Sequence, residues 1–97
     1  MSPSARSLPR PFTYHWGSGQ ITEEASHSSQ YYEAAIQLLE YEDREHSGEW
    51  QIRFCFYSPN GRFQRSPLLV GKDEIAGLRA ALKRTPKLRK FLKKLVL

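Results

Sequence analysis

This chain of 97 residues has one cysteine and no long apolar run. Cys55 has no partner for an internal disulfide, which indicates a reducing compartment such as the cytoplasm. No stretch approaches the roughly 20 apolar residues of a membrane span, and the Ser/Pro/Arg-rich N-terminus lacks the apolar core of a secretory signal. We expect a cytoplasmic protein that does not act at a membrane.

Residues for catalysis or for holding a cofactor are also scarce. His15, His27 and His46 are scattered and show no zinc spacing with the single cysteine. The glycines at 17 and 19 make too short a segment for a phosphate-binding loop. We expect no enzymatic activity, no metal and no cofactor.

Acidic residues are nearly missing from the C-terminal quarter of the chain. From Lys72 to the end there are nine Lys/Arg against only Asp73 and Glu74, whereas the other eight acids lie between Glu23 and Glu49. A basic block of this kind points to a polyanion or to an acidic protein partner. It could equally be a solvated helix face.

The length allows one small domain with a modest core. Residues 1–10 read as a disordered N-terminal tail, and residues 11–97 as a single nucleic-acid-binding domain. Residues 11–16 alternate aromatic and polar residues, which predicts a half-buried strand, and residues 23–29 read as a polar loop.

Residues 49–71 form the most informative stretch and predict a β-hairpin. Two runs of aromatic and β-branched residues flank Ser58-Pro59-Asn60-Gly61, and Asn-Gly favours a tight turn. Arginines alternate with aromatics on both runs. Positive charge for phosphates and flat rings for bases are what single-stranded nucleic acid requires.

The alternation predicts two faces for the first run. Trp50, Ile52, Phe54 and Phe56 should form the core face, packed on the Ile75/Leu78/Leu82 stripe of the following helix, and Arg53 and Tyr57 should lie on the binding face with Gln51 and Cys55. A three-residue turn would put Phe63 and Arg65 on that binding face, and a four-residue turn would put them in the core. The residues leave this register open.

Residues 30–42 allow two interpretations. Tyr32, Ala35, Ile36 and Leu39 have helical spacing, but Ile36, Leu38 and Glu40 also alternate with their neighbours as in a strand that pairs with residues 49–58. Beyond the hairpin, residues 73–84 predict an amphipathic helix, and Thr85-Pro86 predicts the start of a second helix over residues 86–95.

The order of four strands followed by a helix resembles the positive-cofactor-four/Whirly class of single-stranded DNA-binding transcriptional regulators. Gln51-Ile52-Arg53 is similar to the family's Asp-Ile-Arg strand, Asn60-Gly61 falls at its hairpin turn, and Ser66–Leu69 with the acidic pair before Ile75 is similar to its entry into the helix. The match spans residues 11–82 and departs at Gln51, at Ser66-Pro67 and in the extra helix. It favours a strand for the ambiguous segment and implies a homodimer joined partly through the C-terminal helices.

We therefore expect an α+β fold in which a four-stranded antiparallel sheet precedes a C-terminal amphipathic helix or kinked helix pair. The expected function is binding of single-stranded nucleic acid, DNA in preference to RNA, with low sequence specificity and an accessory role in transcription, or in replication and repair. The alternative is a protein–protein interaction module that uses the basic C-terminal helix. The candidate binding residues are Arg53, Tyr57, Arg62, Phe63, Arg65, Lys72, Lys83 and Lys87. The arginines could instead protect a sheet edge, and Tyr57 and Phe63 could be packing residues.

Overall fold

The computed structural model describes residues 6–65 and 68–96 and shows one antiparallel sheet followed by two helices. Each strand pairs with the next one in the chain, in the spatial order β1-β2-β3-β4-β5. The strands are β1 (Arg10–Tyr14), β2 (Gly17–Ser28), β3 (Glu33–Tyr41), β4 (Trp50–Tyr57) and β5 (Phe63–Gln64), and the helices are α1 (Lys72–Leu82) and α2 (Pro86–Val96).

The predicted α+β class, the antiparallel sheet and the pair of C-terminal helices are confirmed. The expected number of four strands is wrong by one, because the first third of the chain forms two strands. The ambiguous segment is strand β3, paired with β4 from Glu33↔Tyr57 to Glu40↔Trp50, so its helical interpretation is wrong. Strand pairing on both sides overrides the helix propensity of Ala, Leu and Glu in this segment.

The predicted loop over residues 23–29 is wrong as well, since β2 continues to Ser28. Its polar side chains are compatible with a strand because they have partners on both faces of the sheet. Glu24 meets arginines on one face, and Glu23 accepts a hydrogen bond from the backbone N–H of Leu88, 2.8 Å away in α2, on the other. Ala25 follows them and lies in the core, on the side of the helices.

Two glycines serve distinct local needs. A Cβ on Gly19 would lie 2.0 Å from the backbone oxygen of Glu40, so β2 can approach β3 this closely only without a side chain. Gly61 has a φ of 87°, in the left-handed region that glycine adopts readily. The predicted turn at Asn60-Gly61 is thereby confirmed.

The sheet is curled, and β1 approaches β4 across the face that lies away from the helices, here called the inner face. In a flat sheet, two intervening strands would separate β1 and β4 by about 14 Å. Arg53 of β4 nevertheless donates to the Tyr14 hydroxyl of β1 at 3.0 Å, and Arg10 of β1 donates to the Tyr57 hydroxyl of β4 at 3.2 Å. A register irregularity between Ile21 and Glu23 in β2 bends the sheet at this point.

The main core lies between the sheet and the helices. Its buried residues come from strands β2 and β3 and from both helices: Ala25, Ala34, Ile36, Leu38, Leu78, Ala81 and Leu88. Ile52 and Leu82 pack against this cluster, as predicted. Trp50 and Phe54 are 39% and 50% exposed, so their predicted place in the core is wrong. Ile75 is 56% exposed, so its predicted core role is wrong: α1 faces the sheet through Leu78 and Ala81.

The second helix begins at Pro86 as predicted, but Thr85 does not cap it with its side chain. The Thr85 hydroxyl donates to the Leu82 carbonyl of α1, and the carboxylate of Glu23 takes the free N–H of Leu88. A strand residue therefore holds the N-terminus of α2 against the sheet, which orients the helix as well as satisfying its backbone.

The two ends of the described chain bear on the predicted domain boundaries. Residues 6–10 of the expected tail are placed against the sheet, where Arg6 and Arg10 contact Glu24. Residues 1–5 lie outside the described residues, as do Ser66 and Pro67 of the family-like entry into the helix. Of the helices in the described ranges, none is long and apolar enough to cross a membrane.

Candidate functional site

A cleft of about 750 Å³ opens on the inner face between β1 and the β4–β5 hairpin. The curl of the sheet creates it, since β1 forms one wall and β4–β5 the other. Its lining combines arginines with aromatic rings: Arg10, Phe12, Tyr14, Arg53, Tyr57, Phe63 and Arg65 are among its residues.

Arg53 lies between the two walls and is half-buried. Its Nε donates to the Gln37 side-chain oxygen at 2.7 Å, and one terminal nitrogen donates to the Tyr14 hydroxyl. Burial alone would lower the pKa of this guanidinium, but its hydrogen bond and charge interaction with Tyr14 raise the pKa, so Arg53 is charged. Within the described ranges, Arg53 forms no ion pair with a carboxylate.

Gln37 fixes the position of Arg53 from the centre of the sheet. Its side chain is fully buried, its oxygen accepts from Arg53 and Cys55, and its amide nitrogen donates to Glu24 at 2.6 Å and to the Tyr57 hydroxyl at 2.8 Å. A buried amide with all these partners has only one orientation that satisfies them. The direction of the Arg53 guanidinium is therefore set by the sheet.

Glu24 is the acidic counterpart at the other end of this network, and its charge is already neutralised. Its buried carboxylate lies 2.8 Å from Arg10 and 3.3 Å from Arg6. Burial would raise the pKa of Glu24, but hydrogen bonds from Arg10 and Gln37 and the nearby positive charges hold the pKa below its ordinary value. Arg6 also pairs with Glu33 at 2.8 Å. Among the described residues, Arg53 thus differs from Arg6 and Arg10 in lacking an acidic partner.

Aromatic rings continue from Arg53 in both directions across the inner face. The guanidinium lies 4.9 Å from the centre of the Phe63 ring on β5 and 5.9 Å from that of Tyr14 on β1. Tyr14 in turn stacks on Trp16, with ring centres 4.5 Å apart and planes 4° from parallel. Phe63 is 43% exposed and Trp16 is 46% exposed, so both ends of this row reach solvent.

The register left open by the sequence is decided by a five-residue connection, residues 58–62. Phe63 pairs with Tyr57, and their rings meet edge to face with centres 5.7 Å apart. Phe63 therefore lies on the inner face and does not contribute to the helix-side core. Arg65 follows it at the rim of the cleft and is exposed.

Tyr57 is brought to the cleft, but a base cannot stack on it as the structure stands. The residue is 6% exposed, the Arg6 guanidinium lies 3.9 Å from its ring centre, and its hydroxyl accepts from Arg10 and Gln37. Tyr57 is a packing residue of the inner face. Phe63 offers the accessible ring instead.

The remaining predicted site residues are spread over two sides of the molecule. The cleft contains Arg53, Tyr57, Phe63 and Arg65, and Arg62 is exposed on the adjacent turn. The three lysines belong to the helix layer, which covers the opposite face of the sheet: Lys72 begins α1, Lys83 follows its last residue and Lys87 lies in the first turn of α2. Lys87 lies 3.8 Å from the Glu40 carboxylate, so it is partly engaged within the chain.

Gln37, Glu24, Arg10 and Tyr14 belong to the site and were not predicted. Gln37 did carry a signal, because it is the one amide in the otherwise apolar run Ala34–Leu39 of a central strand. A polar side chain at such a position must find buried partners. Glu24 and Arg10 carried no such signal in the sequence, since the contact between them depends on the curl of the sheet.

The cleft also contains the single thiol, Cys55, which is 4% exposed. Burial raises the pKa of Cys55 to about 11. The thiol is therefore protonated at neutral pH and has no thiolate to act as a nucleophile. No group of three or more His, Cys, Asp or Glu residues is placed to hold a metal ion in the part of the chain that the structure describes.

Comparison with known proteins identifies no relative: no protein-family model, no curated protein and no solved structure matches this chain. The resemblance to the positive-cofactor-four/Whirly class stays a prediction. The geometry of the cleft must therefore carry any functional conclusion.

Proposed function

We propose that this protein binds single-stranded nucleic acid in the cleft between β1 and the β4–β5 hairpin. The observation that carries the proposal is Arg53, a half-buried charge held by the neutral groups Gln37 and Tyr14 and directed beside an exposed ring. A charge removed from water is costly unless a counterion pairs with it. A phosphate from a bound strand supplies that counterion, and its base stacks on Phe63.

The shape of the cleft favours a single strand over a duplex. Stacking on a protein ring requires a base that has left its own helical stack, as in single-stranded DNA or RNA. Side chains that stack bases and contact phosphates tolerate every sequence, so low specificity follows. DNA is the preferred ligand of the proposal, and RNA of the same sequence is the comparison that tests the preference.

Binding alone, without catalysis, is the proposed activity. Cys55 supports this, since burial raises the pKa of its thiol to about 11 and keeps the thiol protonated at neutral pH. From the single cysteine and the polar N-terminus, we propose that the protein is cytoplasmic. By its resemblance to the positive-cofactor-four/Whirly class, we propose that it is a homodimer joined partly through its C-terminal helices. It would have an accessory role in transcription, or in replication and repair.

The proposal is tested by two pairs of variants and fluorescence anisotropy of a labelled oligothymidylate. Phe63→Ala should weaken binding by about 1–3 kcal/mol, the usual contribution of one stacked base. Tyr31→Ala is the matched control, because Tyr31 is 73% exposed in the β2–β3 connection but does not line the cleft. Loss of affinity in both variants, or in neither, would contradict the proposed site.

The second pair tests the charge. Arg53→Gln should reduce the slope of log K against log salt by about 0.7, the contribution of one phosphate contact on a single strand. Arg79→Gln removes an exposed arginine of α1 and should leave both the affinity and the slope unchanged. An unchanged slope for Arg53→Gln would remove Arg53 from the interface.

The second candidate function is a protein–protein interaction module built on α2. One observation favours it: Leu95 and Val96 at the end of this basic helix are 69% and 73% exposed. Apolar residues beside lysines suit an acidic, apolar groove in a partner. If α2 binds a partner protein, Leu95→Asp should abolish that interaction and leave oligonucleotide binding unchanged. If α2 instead joins a homodimer, sedimentation analysis of the same variant should show that the dimer has dissociated.

A further inference from the structure

A second cleft, of about 590 Å³, adjoins the first at the β1–β2 turn. Residues 13–15 line both clefts, so the two are neighbours at the end of β1. The second cleft is bounded by Trp16 on one side and by the loop residues Asp43, Arg44 and His46 on the other. None of these residues was predicted to bind a ligand.

Trp16 is held in place as a platform. Its indole nitrogen donates to the Tyr41 hydroxyl at 2.8 Å, and Tyr41 donates onward to the Gln51 side chain at 2.6 Å. Tyr14 stacks on one face of the indole and the His15 ring meets the indole edge to face, with centres 4.8 Å apart, yet 46% of the residue remains exposed. A large ring that is fixed by a hydrogen bond and still open to solvent is suited to stacking, because little side-chain freedom is lost when a base covers it.

The charges of this second cleft nearly cancel, unlike those of the first. Asp43 accepts from the backbone N–H of Ser18 at 3.0 Å and pairs with His46 at 2.8 Å. The hydrogen bond with Asp43 raises the pKa of His46, and the same contact lowers the pKa of Asp43, so each group favours the charged form of the other. Arg44 has Glu45 beside it in the sequence. Attraction for phosphate is therefore weak here.

From this geometry we infer that Trp16 forms a second base-stacking subsite, which extends the groove so that one strand contacts Phe63 at one end and Trp16 at the other. The inference rests on the proposed function, since the ligand is the same single strand. It assigns different contacts to the two subsites. The subsite at Arg53 contacts a phosphate and stacks one base on Phe63, and the subsite at Trp16 only stacks a base.

The two tryptophans of the chain allow a direct test by intrinsic fluorescence. Trp50 lies on the opposite face, with its ring 5.9 Å from that of Phe91 in α2, so it is a built-in control. Trp50→Phe leaves Trp16 as the only indole, and its emission should be quenched by an oligothymidylate of about 12 nucleotides. Trp16→Phe leaves Trp50, whose emission should not change with the same oligonucleotide.

Affinity provides the second readout, with oligothymidylates of about 4 and about 12 nucleotides, within the range of site sizes of small single-strand-binding folds. Trp16→Leu should weaken binding of the longer one by about 5- to 150-fold, spare the shorter one bound at Phe63, and leave the salt slope unchanged. If Trp16→Leu fails to fold, the emission of Trp16 in the Trp50→Phe protein still decides the question.

The possible failures are distinguishable. Tight binding of the longer oligonucleotide with unchanged Trp16 emission, and with full affinity in Trp16→Leu, would overturn the second subsite and leave the proposed function standing. If neither oligonucleotide binds, both the second subsite and the proposed function are overturned.

Discussion

Replacing Arg10 by methionine should destabilise the fold by about 2–3 kcal/mol at neutral pH. Removing one partner of a buried ion pair costs about 3–5 kcal/mol, because the other charge stays buried without compensation. Glu24 is that other charge, with a side chain that is 0% exposed. The expected value is smaller because Arg6 remains 3.3 Å away and because the Arg10 side chain is itself 19% exposed.

The loss should depend on pH in a defined direction. In the wild type, the pKa of Glu24 lies below its ordinary value of 4.5, so its stabilising contribution is complete above that pH and is lost as the pH falls through the folded-state pKa. In Arg10→Met, burial dominates and raises the folded-state pKa above the unfolded value. Protonation then relieves the buried charge, so the difference between the two proteins should shrink as the pH falls from about 7 to about 4.

Urea unfolding followed by tryptophan fluorescence measures both effects. The double variant Arg10→Met/Glu24→Gln should recover much of the loss, since it removes the buried charge, and Arg79→Met should stay within about 0.5 kcal/mol of the wild type because Arg79 is exposed on α1. A loss below about 0.5 kcal/mol in Arg10→Met, or an equal loss at both pH values, would refute the reasoning.

Three further predictions concern the core, the sheet and the thiol. Leu38→Ala should cost about 2–5 kcal/mol in urea unfolding because Leu38 is 0% exposed between sheet and helices, whereas Leu95→Ala should cost under about 0.5 kcal/mol; equal costs would contradict the core. Gly19→Ala should lower the thermal midpoint, because the added Cβ would lie 2.0 Å from a backbone oxygen. Gly71→Ala should be tolerated, because its Cβ would meet nothing nearer than 3.4 Å. A larger fall in the midpoint for Gly71→Ala than for Gly19→Ala would be inconsistent with the register of β2. Cys55 should react with a thiol reagent at pH 8 at least about 100-fold faster in denaturant than in the folded state, because burial keeps it protonated; equal rates would mean that the thiol is accessible.

Local chemistry explains what could be predicted from the sequence. The Asn60-Gly61 turn, the strand at β4 and the start of α2 at Pro86 depend on residues a few positions apart, and all three are present in the structure. The helix pair followed from apolar spacing and from Pro86, which separates the two helices.

The curl of the sheet explains what could not be predicted. Glu24 looked like a loop residue because its partners Arg6 and Arg10 reach it only through the folded N-terminal segment. Tyr57 looked accessible because alternation assigns a face but does not show that Arg6 covers it. The lysines of the helices were predicted from the basic charge of the C-terminal block, and charge does not reveal which face of the sheet the helices cover.

One measurement tests the central claim most directly: anisotropy of a labelled oligothymidylate of about 20 nucleotides, titrated with the wild-type protein at about 50 and about 200 mM salt, with an unlabelled duplex of equal length as competitor. Contacts from Arg53, Arg62 and Arg65 predict a slope near −2, which corresponds to about 20-fold weaker binding at the higher salt, and little displacement by the duplex. Absence of binding, or equal displacement by the duplex and by unlabelled single strand, would contradict a groove that stacks unpaired bases.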